Sequence, residues 1–186
     1  MKRSGLIVII AIIAILAFFG ITSYNKMVVL DQDVNTAYSQ VQTVIQRRAD
    51  LIPNLVNTVQ GYADHESDTL TRITEARAGV QNAQSPEELD EANAELTNAL
   101  QGINVVVEAY PELKANQNFI QLQDELAGTE NRISVERRAY NETVQTYNQT
   151  RNRFPMVLMA SILGFEEKQP FQASPESQDA PEVQFN

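Results

Sequence analysis

Sixteen consecutive residues near the start of the chain, Leu6 to Ile21, carry no charge and nothing more polar than a glycine. With Gly5 and Thr22 included the run is about 18 residues, roughly 27 Å of helix, against a bilayer hydrocarbon core of ~30 Å. A cleaved signal peptide has the same opening, because Lys2 and Arg3 precede the apolar stretch. Phe18 and Phe19, however, stand where a cleavage site wants small residues, and there is no cysteine to make a lipoprotein. The run therefore reads as an uncleaved anchor and membrane lipid as its partner. Lys2, Arg3 and the α-amino group lie before it and only Lys26 follows closely. The positive-inside rule then places the N-terminus in the cytoplasm and the rest on the outer side, periplasmic or extracellular.

The remainder excludes several classes of function. Net charge is −10 and the basic residues are scattered, so nucleic acid is not expected as a partner. Without cysteine there is no disulfide framework and no zinc or thiol chemistry. A carboxylate-bridged di-iron bundle wants two Glu-x-x-His motifs, whereas this chain has one histidine, His65, with no glutamate three residues before it. That histidine reads as solvated or helix-capping. No serine element accompanies it as in a triad, and no glycine-rich loop resembles a phosphate cradle. No catalytic residue, metal ligand or cofactor is expected.

Beyond Lys26 apolar residues recur at Leu30, Val34, Ala37, Val41, Val44, Leu51 or Ile52, Leu55, Val59 and Tyr62, steps that mark an amphipathic helix. No Gly or Pro lies between Ile21 and Ile52, so the anchor can continue straight into this helix. Pro53 predicts a kink, not a stop. Gly61 then offers a C-terminal cap and Asp64 the cap of a second helix through Leu70, Ile73, Ala76 and Val80, although the periodicity crosses this break. Ser85-Pro86-Glu87-Glu88 is a firmer start, with a capping serine, proline at the first helical position and glutamate closing the box. Its helix ends at Tyr110-Pro111. The last long helix carries Phe119, Leu122, Leu126, Ile133, Tyr140, Val144, Tyr147 and Phe154, and Phe154-Pro155 closes it.

The fold expected is all-α: an up-and-down antiparallel four-helix bundle with an N-terminal transmembrane helix. A three-helix arrangement follows if the break at 61–66 is not real. An even number of helices returns Phe154 to Phe165 to the membrane side, and an odd number leaves it at the far end. The domains read as an anchor over 1–25, a bundle over 26–165 and a disordered acidic tail over 166–186, where Pro, Gln and acid leave little to bury.

Charges interrupt the apolar pattern in two places. Arg47, Arg48 and Asp50 precede Leu51-Ile52-Pro53, and on the last long helix Glu130 and Arg137 occupy slots due to apolar residues, with Arg132 nearby. These six predict a structural polar layer between helices, with Glu130 paired to Arg48. The same layer offers a place for a small anionic or peptide ligand. Near the far end Met156, Leu158, Met159, Ile162, Leu163 and Phe165 belong to an uncharged decamer too short to span a bilayer. It predicts a cap on the core, a subunit contact or a membrane contact.

A family resemblance runs from the anchor to about Phe171. Arg47-Arg48-x-Asp50-Leu51-Ile52-Pro53-Asn54-Leu55-Val56, Gly61-Tyr62-Ala63-x-His65-Glu66, Ala76-Arg77 and Glu108-Ala109-Tyr110-Pro111-x-Leu113-Lys114-Ala115-Asn116 carry the match. It continues through Asn118-Phe119, Leu122-Gln123-x-Glu125-Leu126, Thr129-Glu130-Asn131-Arg132-Ile133, Tyr140-Asn141, Tyr147-Asn148, Phe154-Pro155 and Gly164-Phe165. In these segments the chain resembles the LemA family of bacterial proteins, and the resemblance implies a membrane-anchored four-helix bundle with no established catalytic activity. Together these features predict a structural or scaffolding protein of the bacterial envelope, self-associating and able to take an envelope protein partner. A receptor-like module is the alternative.

Overall fold

The computed structural model describes residues 2–63 and 65–172. It is all-helical over those residues, with six helices: α1 (Lys2–Gln60), α2 (Ser67–Asn82), α3 (Pro86–Ala109), α4 (Pro111–Lys114), α5 (Gln117–Arg151) and α6 (Met156–Leu163). The chain does break at 61–66, as the glycine there suggested. The expected cap Asp64 lies outside the described residues, and α2 follows Glu66, whose side chain makes no capping bond. α4 is a single turn inside the connection expected between the third and fourth helices.

The described residues fall into two compact units, one made of residues 2–37 and 139–170, the other of 38–63 and 65–138 with 171–172. α1 and α5 contribute to both. In the larger unit α1 buries Val41, Ile45, Ala49, Ile52, Leu55 and Val59, the steps of three and four that keep one helix face inward. α2 adds Leu70, Ile73, Ala76 and Val80. α3 adds Leu89, Ala92, Leu96, Ala99 and Ile103, and α5 adds Phe119 and Ile133. α3 packs against α2 at Gly102, where a methyl group would stand 3.4 Å from Thr69 Cγ2, an ordinary contact. α3 starts as its sequence dictates: Ser85 Oγ accepts the Glu88 N–H at 3.1 Å, and the Glu88 carboxylate reaches back to the Gln84 N–H at 2.8 Å, one residue earlier than the usual box.

α1 continues unbroken through Pro53. Proline has no N–H, so the carbonyl four residues back, that of Ala49, loses its helical donor. Arg77 on α2 supplies the replacement, donating its Nε–H to Ala49 O at 2.9 Å. An unmet buried carbonyl costs about 1–3 kcal/mol, so Arg77→Met is expected to lose stability by that order. In a Pro53→Ala background the helix recovers its own donor, and the loss at Arg77 should shrink. Equal losses in both backgrounds, read by chemical denaturation, would show that Arg77 does not serve this carbonyl.

The smaller unit buries Met27 and Val34 of α1 with Tyr140, Val144 and Tyr147 of α5 and Met156 and Ala160 of α6. Gly164, at φ 76°, ends α6 in the left-handed conformation that favours glycine. The chain then runs extended along α5, and side chains of α5 satisfy its backbone. Arg151 donates to Phe165 O, Tyr147 to Glu166 O and Tyr140 to Gln169 O. Asn148 holds both the N–H and the carbonyl of Lys168. Lys168 Nζ also pairs with Asp31 at 2.8 Å. Composition had placed residues 166–172 in an unpacked tail. They are held here through backbone groups, which composition does not report. The rest of that tail, 173–186, lies outside the described residues.

Candidate functional site

Arg48 is the most deeply buried charge among the described residues, 5% exposed on the inward face of α1 between Ile45 and Ile52. Its Nη1 meets three acceptors: Asn93 Oδ1 at 3.1 Å, Thr97 Oγ1 at 2.9 Å and Glu130 Oε2 at 2.5 Å. That nitrogen carries two hydrogens, which the two neutral acceptors on α3 take up. The Glu130 contact is accordingly an ion pair by distance without hydrogen-bond alignment, and Oε2, closed to water, has no hydrogen-bond partner. The Arg48 Nε–H is also buried without one. Burial pushes the guanidinium down from its ordinary value while the Glu130 carboxylate holds it up. A guanidinium titrates so high that it stays charged.

Next to this cluster, α1, α3 and α5 leave a cleft of about 470 Å³. Leu55, Leu100 and Ile103 give it an apolar lining, with Gln101, Asn104 and Asp124 as polar members beside Arg48 and Glu130. One arginine faces two carboxylates, so the lining carries a net negative charge.

The six residues expected to form a polar layer divide. Arg48 and Glu130 meet across α1 and α5. Arg137 is partly buried but pairs elsewhere, with Asp90 of α3 at 2.8 Å. Its guanidinium also donates to Gln172 O at 2.6 Å and lies 5.2 Å from the centre of the Phe171 ring. Asp90 accepts from the backbone of Gln172; burial raises its carboxyl pKa, opposed by Arg137 and by that hydrogen bond. Arg47, Asp50 and Arg132 are exposed and do not join the layer. Arg48 and Ala49 both face inward, and at about 100° per residue Arg47 and Asp50 each fall about 150° from the middle of that face; Arg132, two residues past Glu130, is about 200° from it around α5. Asp50 instead accepts from Gln46 at 2.9 Å along the same helix face.

Asn93 and Thr97, which hold Arg48, were missed. A signal existed for Asn93: it stands four residues after Leu89 and three before Leu96, on the apolar face of α3. Of the apolar decamer, Met156 is buried, Met159, Leu163 and Phe165 are half-buried, and Leu158 and Ile162 are exposed. Among the described residues no three His, Asp or Glu side chains are grouped to hold a metal ion.

These features define a class: an all-helical chain whose first helix contains a stretch long and apolar enough to cross a membrane, with a buried arginine linking three helices. The LemA family model matches residues 37–185, and the chain belongs to that family. The match begins after the apolar run and extends past Phe171, beyond the segments that carry the resemblance. Magnetosome protein MamQ 2 of Paramagnetospirillum magneticum is 27% identical, over 91% of this chain and 72% of its own length. Magnetosome protein MamQ of Magnetospirillum gryphiswaldense is 25% identical, over 91% and 73%. Protein LemA of Metamycoplasma hominis is 28% identical, over 87% and 74%. None of these names specifies a reaction.

Proposed function

We propose that the protein is a single-pass, N-terminally anchored helical bundle with a structural or scaffolding role in the bacterial envelope, acting as a self-associating assembly. The observation that carries this is α1, one helix of 59 residues. Its apolar run is left uncovered, with Ile7, Ile10, Ile13, Phe18 and Ile21 each more than half exposed. Further on, the same helix buries a regular face. An apolar surface of that size is unstable in water, and a bilayer is the solvent that suits it. Lys2 and Arg3 before the run favour a cytoplasmic N-terminus and a bundle on the outer side.

Within the larger unit, four helical segments support an up-down-up-down arrangement. Gly79 approaches Ala92 while Thr69 approaches Gly102, so α2 and α3 run oppositely. Arg137 meets Asp90 while Glu130 lies in the cleft with Thr97 and Asn104, the pattern of an antiparallel α3 and α5. Anchoring such bundles in parallel on one membrane raises their effective concentration and favours side-by-side assembly. Buried polar contacts between helices can fix their register, a use that fits the Arg48 cluster to a structural role.

The cleft supports a second reading, a receptor-like module. Its volume suits a small ligand. Since its one arginine is already opposed by two carboxylates, it favours a peptide with a cationic side chain over an anion. Size measurement of detergent-extracted full-length protein separates the two. A single defined assembly several chains in mass, formed without added ligand, is the scaffold result. A monomer whose melting temperature rises with a short lysine-containing peptide would overturn it in favour of the receptor.

A further inference from the structure

We infer that α6 is a second membrane contact, a short helix lying in the interface of the same leaflet that α1 leaves on its way out of the bilayer. This rests on the proposal that the apolar run of α1 spans the membrane. The packing within the smaller unit carries it. A methyl group placed on Gly20 would stand 3.6 Å from Met159 Cε, and the rings of Tyr24 and Phe165 are 5.8 Å apart. α6 is thereby held against α1 at the outer end of the run. Gly20 is about 10 Å along the helix from the middle of the run, inside the ~15 Å half-thickness of the hydrocarbon core. Tyr24, one turn further, sits where interfacial aromatics collect.

α6 has two apolar faces and only one is covered. Met156 and Ala160 are buried, while Leu158 and Ile162, roughly 200° away around the helix, are 62% and 81% exposed. Phe154 just before the helix is 80% exposed as well. No charge occurs from Phe154 to Phe165; the nearest are Arg153 on one side and Glu166 on the other. A helix with an open apolar face, fixed at the depth where acyl chains give way to headgroups, has lipid as its natural cover. The basic polar face of a free surface helix is not needed, because protein occupies the opposite side. A second copy of the chain is the competing occupant. The placement against Gly20 and Tyr24 favours lipid, since that level of α1 is itself surrounded by exposed Phe18, Phe19 and Ile21.

The chain has no tryptophan, so one introduced indole is a unique reporter. Ile162→Trp, Leu158→Trp and, as the anchor control, Ile13→Trp are to be made in the full-length protein. Each is reconstituted in phosphatidylcholine–phosphatidylglycerol vesicles whose acyl chains carry bromine near the glycerol end or near the methyl end. The α6 reporters should lose most of their emission to the shallow bromines and less to the deep ones, while Ile13→Trp should show the opposite order. Quenching of Ile13→Trp with both α6 reporters untouched would overturn the α6 contact alone, whether water or a second copy covers that face. Failure to quench Ile13→Trp would overturn the spanning helix and the α6 contact with it.

Discussion

Arg48→Ala is expected to destabilise the fold by several kcal/mol, since it leaves a void at a buried position and removes the donor of its neighbours, at about 1–3 kcal/mol for each buried polar group left unsatisfied. Three groups on two helices depend on that side chain: Asn93, Thr97 and Glu130. Glu130→Ala should cost less, because the Glu130 side chain is 44% exposed and water already screens part of its charge. Its loss nonetheless leaves the buried guanidinium with neutral partners only. The double variant should fall short of the sum of the two, since once Arg48 is gone Glu130 has no buried charge to answer. Thermal and denaturant unfolding of the full-length protein in detergent measure all three. Losses that add to within about 0.5 kcal/mol would remove direct coupling between the two side chains.

This pair was legible in the sequence because each residue occupies a slot in an apolar repeat where a charge needs a reason. The apolar run, the capping serine at 85 and the stops at Tyr110-Pro111 and Phe154-Pro155 were legible for similar local reasons. What was not legible depends on which helices become neighbours. Pro53 announces that the Ala49 carbonyl is short of a donor, but nothing local says that Arg77 of α2 provides it. Arg137 stands a heptad after Glu130 and its inward direction follows, yet its partner Asp90 is on α3. Residues 166–172 looked unpackable because their side chains are polar. What holds them is the reach of Tyr140, Tyr147, Asn148 and Arg151 to their backbone, a pairing of main chain with side chain that a hydrophobicity pattern does not contain.

Two charges placed in the middle of the apolar run, Ile9→Asp with Ile13→Asp, are expected to abolish stable insertion. Each aspartate at the centre of a spanning helix costs about 2.5–3.5 kcal/mol on translocon-based scales, so the pair removes roughly 5–7 kcal/mol from a segment with no other anchor in α1. Both positions are exposed, so the packed helices lose no contact in the exchange. The variant should therefore leave the membrane fraction without losing its helical content. Unchanged membrane retention would mean that something other than this helix holds the protein there.

The parent chain in the same fractionation gives the sharpest reading of all. Membranes washed at alkaline pH, which strips peripheral proteins, should retain the protein, and its mass should be that of the whole chain, 20.8 kDa. Recovery in the wash, or a membrane-bound form lacking the first twenty-odd residues, would contradict an anchor and a bundle built on one continuous helix.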